Sequence, residues 1–130
     1  MEENNFNKTY LSIDKIEAHN KALTFSNLLW DEVIKFDYFE KNSVGLQLVR
    51  AADSISANIA EGFGRYHKKD KIKFYQYAKG SALECYDWLL KCKHRKLLNE
   101  SQLQSFIETV QNLPKSINYL IKYTNDNLKE

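Results

Sequence analysis

The chain has 130 residues, a formal net charge of +2, and 43% hydrophobic and 28% charged residues, an ordinary composition for a globular domain with one hydrophobic core. It contains no apolar run long enough to cross a membrane and begins without the basic and apolar segments of a signal peptide, so we expect a cytoplasmic protein. Because it has only four glycines and one proline, long helices are favoured over strands and turns. We predict a flexible tail over residues 1–10 and a single helical domain over residues 11–130.

The first predicted helix, from about Ser12 to Tyr38, carries two apolar stripes on nearly opposite sides. One stripe consists of Ile16, Leu23, Asn27, Trp30 and Ile34, and the other of Ala22, Phe25, Leu29, Val33 and Phe36. Since a helix in a monomeric bundle needs one apolar stripe, the extra stripe predicts a second partner surface. The alternative is that the chain's own tail covers it.

The second predicted helix runs from about Val44 to Phe63, with Ser43 as its N-cap. Its predicted core stripe is Leu48, Ala52, Ile55, Ile59 and Phe63. Gly62 and Gly64 indicate the helix end, where a positive φ is common.

The third predicted helix starts between Lys68 and Asp70 and ends near Lys93. Its predicted seam is Phe74, Ala78, Ser81, Cys85, Trp88 and Cys92, and a second apolar stripe is formed by Ile72, Leu83, Tyr86 and Leu90. The two cysteines are separated by about 10.5 Å of helical rise, which is too far for a disulfide. We therefore predict that both are reduced thiols in the core.

The fourth predicted helix begins after Asn99, an N-cap that forms a capping box with Gln102. Its predicted seam is Leu103, Phe106, Val110, Leu113, Ile117, Leu120 and Thr124. Because the connections between the four helices are short, sequential helices should be antiparallel neighbours. The predicted fold is therefore all-α, an up-and-down antiparallel four-helix bundle.

Positive charge is concentrated in one part of the chain. Residues 65–96 contain ten Lys or Arg and three Asp or Glu, whereas the other residues contain nine and fourteen. Exposed cations bind phosphates, and the interleaved rings of Tyr66, Phe74 and Tyr75 can stack on unpaired bases. The predicted nucleic-acid-binding residues are Arg65, His67, Lys68, Lys69, Lys71 and Lys73. The alternative is a solvated helix start.

Two strings in the second predicted helix resemble a known family. They are Gly-Leu-Gln-Leu-Val-Arg-Ala-Ala-Asp-Ser-Ile over residues 45–55 and Asn-Ile-Ala-Glu-Gly-Phe-Gly-Arg over residues 58–65. The resemblance continues through Tyr77-Ala78-Lys79-Gly80-Ser81, with Glu84, and covers about residues 20–124. Through these residues the chain resembles the four helix bundle protein family, which is also called the 23S rRNA intervening-sequence protein family.

The resemblance implies a bundle that assembles as a ring-shaped homopentamer. It extends to the accessory variability determinant of diversity-generating retroelements, a basic pentamer that binds nucleic acid and a reverse transcriptase. From this resemblance and the surplus apolar stripes we expect an oligomer interface. Its predicted residues are Phe25, Leu29, Val33, Phe36, Leu83, Tyr86 and Leu90.

The polar residues of the matched strings suggest pairing between helices or subunits. The predicted structural polar network is Arg50, Asp53, Asn58, Glu61 and Glu84. No catalytic motif or metal-ligand spacing accompanies them, so we expect a non-enzymatic protein without cofactor or metal. The sequence leaves two functions open: a nucleic-acid-associated oligomeric scaffold, or a scaffold that binds an unknown protein partner alone.

Overall fold

Four long helices make up most of the chain in a computed structural model, which describes residues 12–129. A 3-10 turn, Ser12–Lys15, precedes α1 (Glu17–Val33), and α2 (Leu46–Gly64), α3 (Lys68–Arg95) and α4 (Glu100–Asn127) follow. The described residues form no strand. The predicted tail over residues 1–10 lies outside the described residues.

The second helical segment begins earlier than predicted. A helical turn, Tyr38–Glu40, and a π-helix, Lys41–Gly45, lead directly into α2. Oδ1 of Asp37 accepts from the Glu40 amide at 2.8 Å, and the Asp37 amide donates to Oε1 of Glu40. This capping box satisfies amide donors at the helix start, so the prediction of Ser43 as N-cap was wrong. Ser43 lies inside the π-helix and donates to the Phe39 carbonyl oxygen.

The helices form an up-and-down four-helix bundle. α1 packs on α2 and α4, and α3 packs on the same two helices. The rings of Phe25 and Phe106 meet edge to face at 5.9 Å, while Lys21, earlier in α1, donates to Ser116, later in α4. This order of contacts makes α1 and α4 antiparallel.

The buried residues confirm the predicted seam of the fourth helix completely and that of the third helix in part. All seven predicted α4 residues are buried, and the Asn99 side chain caps the Gln102 amide at 2.8 Å. In α3, Ala78, Cys85 and Cys92 are buried as predicted. The remaining buried positions are Tyr75, Ala82 and Leu89 rather than Phe74, Ser81 and Trp88, because the contact face is rotated by about 50° around the helix axis.

The α1 stripe that was predicted to form the oligomer interface is the stripe that packs in the core of the bundle. The stripe that contains Phe25, Leu29 and Val33 is buried in the bundle, together with Phe36. These four residues were therefore wrongly predicted to form an interface between copies. Their face also carries Ala18 and Ala22, and such small side chains let neighbouring helices approach closely.

The other α1 stripe remains exposed. Leu23, Trp30 and Ile34 are 45%, 52% and 47% exposed. The prediction of a surplus apolar surface thus fits α1, but at a different set of residues. On α3, Leu83 and Leu90 are exposed and Tyr86 is partly buried, so these three predicted interface residues lie at or near the surface.

Candidate nucleic-acid interface

The junction between α2 and α3 is three residues long and bends at Tyr66 and His67. Arg65 and His67 have backbone angles in the β region, which ends α2 at Gly64 and allows α3 to start at Lys68. The predicted helix end is correct, but no described glycine has a positive φ. Gly62 is needed for a different reason, because the Tyr75 ring packs against its backbone.

Two of the predicted phosphate-binding lysines hold helix ends together. Nζ of Lys71 donates to the Phe63 carbonyl oxygen at 2.7 Å, and partial burial lowers the pKa of Lys71. Nζ of Lys68 donates to the carbonyl oxygens of Asn125 at 3.0 Å and Leu128 at 3.1 Å. The last carbonyls of a helix lack intrahelical donors and attract cations, so both lysines act as caps for α2 and for the end of α4.

Arg65 is also engaged within the protomer. Its guanidinium contacts Oε2 of Glu61 at 2.7 Å through one nitrogen and at 2.8 Å through Nε. The same group lies 4.6 Å from the centre of the Phe74 ring. These contacts form an i,i+4 ion pair within the last turn of α2 and orient the start of the junction.

The remaining predicted residues point outward from the same end of the bundle. His67, Lys69 and Lys73 are exposed, and no described carboxylate forms an ion pair with either lysine. Of the three interleaved rings, Tyr66 is 89% exposed, whereas Phe74 is partly buried and Tyr75 is buried in the core. The position of Tyr66 in a three-residue junction between two helices was a signal that its ring would have no core to enter. The structure therefore divides the predicted site into a structural half and an exposed half.

The predicted polar network does not form within the protomer. Arg50, Asp53, Glu61 and Glu84 are all exposed. Asn58 donates to the Ser54 carbonyl of its own helix, and Glu84 accepts from Trp88 of its own helix. The expectation of a buried network between helices was wrong, because these side chains lie outside the core stripes of α2 and α3.

Both cysteines are free and buried, as predicted. Burial, with smaller contributions from Cys92 and Glu84, raises the pKa of the Cys85 thiol to about 12. Burial also raises the pKa of Cys92 to about 11, partly opposed by Arg95. Thiols held in their neutral form are poor nucleophiles and poor metal ligands, so the geometry gives them a packing role.

The exposed apolar residues of α1 and α3 lie on opposite sides of the bundle. Leu28 lines a groove of about 850 Å³ between α1 and α4, so Leu28 marks the α4 side of α1. At 100° per residue, the stripe of Leu23, Trp30 and Ile34 lies about 120–160° away from Leu28 around the helix axis. That stripe is therefore on the α2 side. In α3, Leu83 and Leu90 lie within about 60° of Lys68, which reaches α4. One apolar face therefore lies beside α2 and the other beside α4.

Residues 12–129 contain no group of three His, Cys, Asp or Glu side chains that could hold a metal ion. Over the same residues, no helix is both long and apolar enough to span a membrane.

Comparison with known proteins gives a family and a fold. A family model described as 23S rRNA-intervening sequence protein matches residues 14–119. A solved structure from Bacteroides thetaiotaomicron VPI-5482, described as a protein with unknown function from the S23 ribosomal protein family, is 21% identical. It aligns with a TM-score of 0.72 over 81% of this chain and 98% of that chain, which supports the bundle fold. No curated protein matches the chain.

Proposed function

The chain belongs to the 23S rRNA-intervening sequence protein family, and we propose that it is a non-enzymatic scaffold that assembles into a ring and binds nucleic acid at the α2–α3 junction. The observation that carries the assembly is the pair of apolar faces on opposite sides of the bundle. Contiguous exposed apolar surface on a soluble domain often marks an interaction site. The carboxylates of the matched strings are exposed and lack an accompanying nucleophile, which supports a binding role rather than catalysis.

The positions of the two faces support a head-to-tail contact between copies. The α1 face contains Leu23, Trp30 and Ile34, and the α3 face contains Leu83 and Leu90. If the α1 face of one copy contacts the α3 face of the next, the contact is heterologous, and repetition of such contacts closes a ring when the rotation permits. The number five comes from the family resemblance.

Sedimentation equilibrium at micromolar concentration tests the assembly. We expect a mass of about five times the 15.3 kDa of one chain. Leu23→Glu should shift the mass toward the monomer, because burying an unpaired carboxylate between subunits is costly. Leu28→Glu is the matched control, since Leu28 is similarly exposed on the α4 side of the same helix. A wild-type protein that sediments as a monomer would disprove the proposed assembly.

Nucleic-acid binding is supported by the exposed half of the junction. Lys69 and Lys73 are available for phosphate contacts, and His67 and Tyr66 lie beside them. In a ring these groups would repeat in each subunit, so several weak contacts would act together. Phosphate contacts by exposed lysines also make binding strongly dependent on salt.

The binding test uses Lys69→Gln with Lys73→Gln, because neutralising Lys68 or Lys71 would also remove a helix cap. In filter binding at about 50 mM salt, the double variant should lose affinity for RNA and show a shallower salt slope, by about one unit per lost phosphate contact. Lys93→Gln with Lys96→Gln, at the other end of α3, is the control. If the two double variants lose equal affinity, the junction is not the site.

A scaffold that binds only protein is the second candidate, and the apolar faces favour it. Its partner would occupy surface such as the α1 stripe rather than the junction. A pull-down that returns one protein after nuclease treatment, together with no measurable RNA or DNA affinity at low salt, would select this function over nucleic-acid binding.

A further inference from the structure

We infer that the junction recognises single-stranded nucleic acid and that the ring of Tyr66 stacks on an unpaired base. This inference rests on the proposed function and names the ligand class for the same site. It is carried by the combination of one protruding aromatic ring, a fixed backbone and exposed cations at one end of the bundle.

Tyr66 lacks a packing role in the fold. It is 89% exposed, whereas Tyr75, nine positions later, is buried against Gly62. Its described aromatic contact is with the adjacent ring of His67, with centres 5.0 Å apart and planes 84° apart. A perpendicular contact of this kind covers at most one face of the tyrosine ring, so the other face is available.

The backbone that carries Tyr66 is held on both sides. Arg65 is paired with Glu61 before it, and Lys68 is bonded to the end of α4 after it. Lys71 adds a third tie, to the last turn of α2. A ring on such a fixed junction loses little further conformational freedom when it stacks on a ligand, and preorganisation of this kind favours binding.

The surroundings suit a nucleotide. A Cβ at Gly64, two residues before Tyr66, would meet no atom within 4 Å, so the surface at the end of α2 is open. Lys69 and Lys73 are exposed on one face of the first turns of α3 and can contact phosphates of a strand whose base stacks on Tyr66. Grooves that pair cations with aromatic stacking surfaces are typical of proteins that bind single strands.

The preference for single strands follows from where the face of a base is accessible. In a duplex, base faces are stacked on one another and only base edges reach the grooves. A ring on a short surface junction therefore meets a base face only when that base is unpaired. Duplex binding would use the lysines alone, and Tyr66 would not contribute.

Fluorescence anisotropy with a labelled oligouridylate of about twelve nucleotides, a length within the range that single-strand sites cover, tests this inference. The same strand annealed to oligoadenylate is the duplex probe. Tyr66→Ala should weaken single-strand binding by about five- to 150-fold, as expected for one lost base stack, and change duplex binding by less than about twofold. Tyr66→Phe should retain the affinity, because the ring remains. Tyr38→Ala is the matched control, since Tyr38 is 85% exposed at the opposite end of the bundle.

The outcomes separate this inference from the proposed function. Unchanged single-strand affinity in Tyr66→Ala, or an equal loss on both probes, overturns the stacking role, while the Lys69 and Lys73 variant still decides whether the junction binds nucleic acid. If the wild-type protein binds neither probe, both proposals are wrong. Circular dichroism of each variant confirms that helix content is preserved.

Discussion

The ring of Tyr75 lies directly against the backbone of Gly62, so that α2 and α3 approach at a point where no side chain would fit. A Cβ at Gly62 would lie 2.7 Å from Cε1 of Tyr75 and 2.9 Å from the Lys71 carbonyl oxygen. The second of these atoms is backbone and cannot move without displacing α3. The glycine thus sets the separation of the two helices beside the candidate site.

We expect Gly62→Ala to lower the free energy of unfolding by about 1–3 kcal/mol, the usual cost of overpacking a core, measured by urea denaturation. Gly80→Ala is the control, because a Cβ there would meet nothing within 4 Å. In the middle of α3 that change should stabilise the protein by about 0.5–1 kcal/mol, since alanine favours helix more than glycine does. Equal effects of the two substitutions would show that the Tyr75 contact does not limit the helix separation.

Lys71→Met should destabilise the protein by about 1 kcal/mol, because it leaves the Phe63 carbonyl without its donor. Lys69→Met, two residues away on the exposed surface, should change stability by less than about 0.5 kcal/mol. Thermal unfolding of both variants under the same conditions gives the comparison. A larger loss in Lys69→Met would contradict the capping role of Lys71.

Acidification should reduce stability through His19. Its Nδ1 is buried without a hydrogen-bond partner among the described residues, and burial lowers the pKa of His19 below the ordinary 6.5. Below pH 6.5, His19 is therefore protonated more readily in the unfolded chain than in the folded chain. The contribution of neutral His19 to the free energy of unfolding is fully present above this pH and is lost as the pH falls through the folded pKa. His19→Leu should show a shallower decline below pH 6.5, and an unchanged slope would exclude this contribution.

The two thiols should be protected from alkylation until the protein unfolds. With pKa values of about 12 for Cys85 and about 11 for Cys92, neither is a thiolate at pH 8 in the folded chain. The reagent DTNB should therefore react slowly with the native protein and fully in urea. Rapid reaction of the native protein would place a cysteine at the surface.

The same thiols should also lower the free energy of unfolding at alkaline pH. Because they ionise near pH 9.0 in the unfolded chain, stability should fall as the pH rises above that value.

The sequence determined the features of this protein that depend on local or repetitive order. The seam of α4, its Asn99 cap, the end of α2 at Gly64 and the reduced cysteines follow from spacing and residue type, because each depends on residues within a few turns. The family could also be predicted, since its motif lies within one continuous stretch around Asn58.

Tertiary structure alone decided which α1 stripe is buried and which junction lysines are exposed. Helical periodicity gives the angle between two stripes but not the direction of the neighbouring helices, so Leu29 and Trp30 were equally reasonable core residues. In the same way, Lys68 becomes a cap because the end of α4, 57 residues away at Asn125, arrives beside the start of α3. Only the packed bundle brings that carbonyl to the lysine, and only the bundle therefore separates Lys68 and Lys71 from the exposed Tyr66, Lys69 and Lys73.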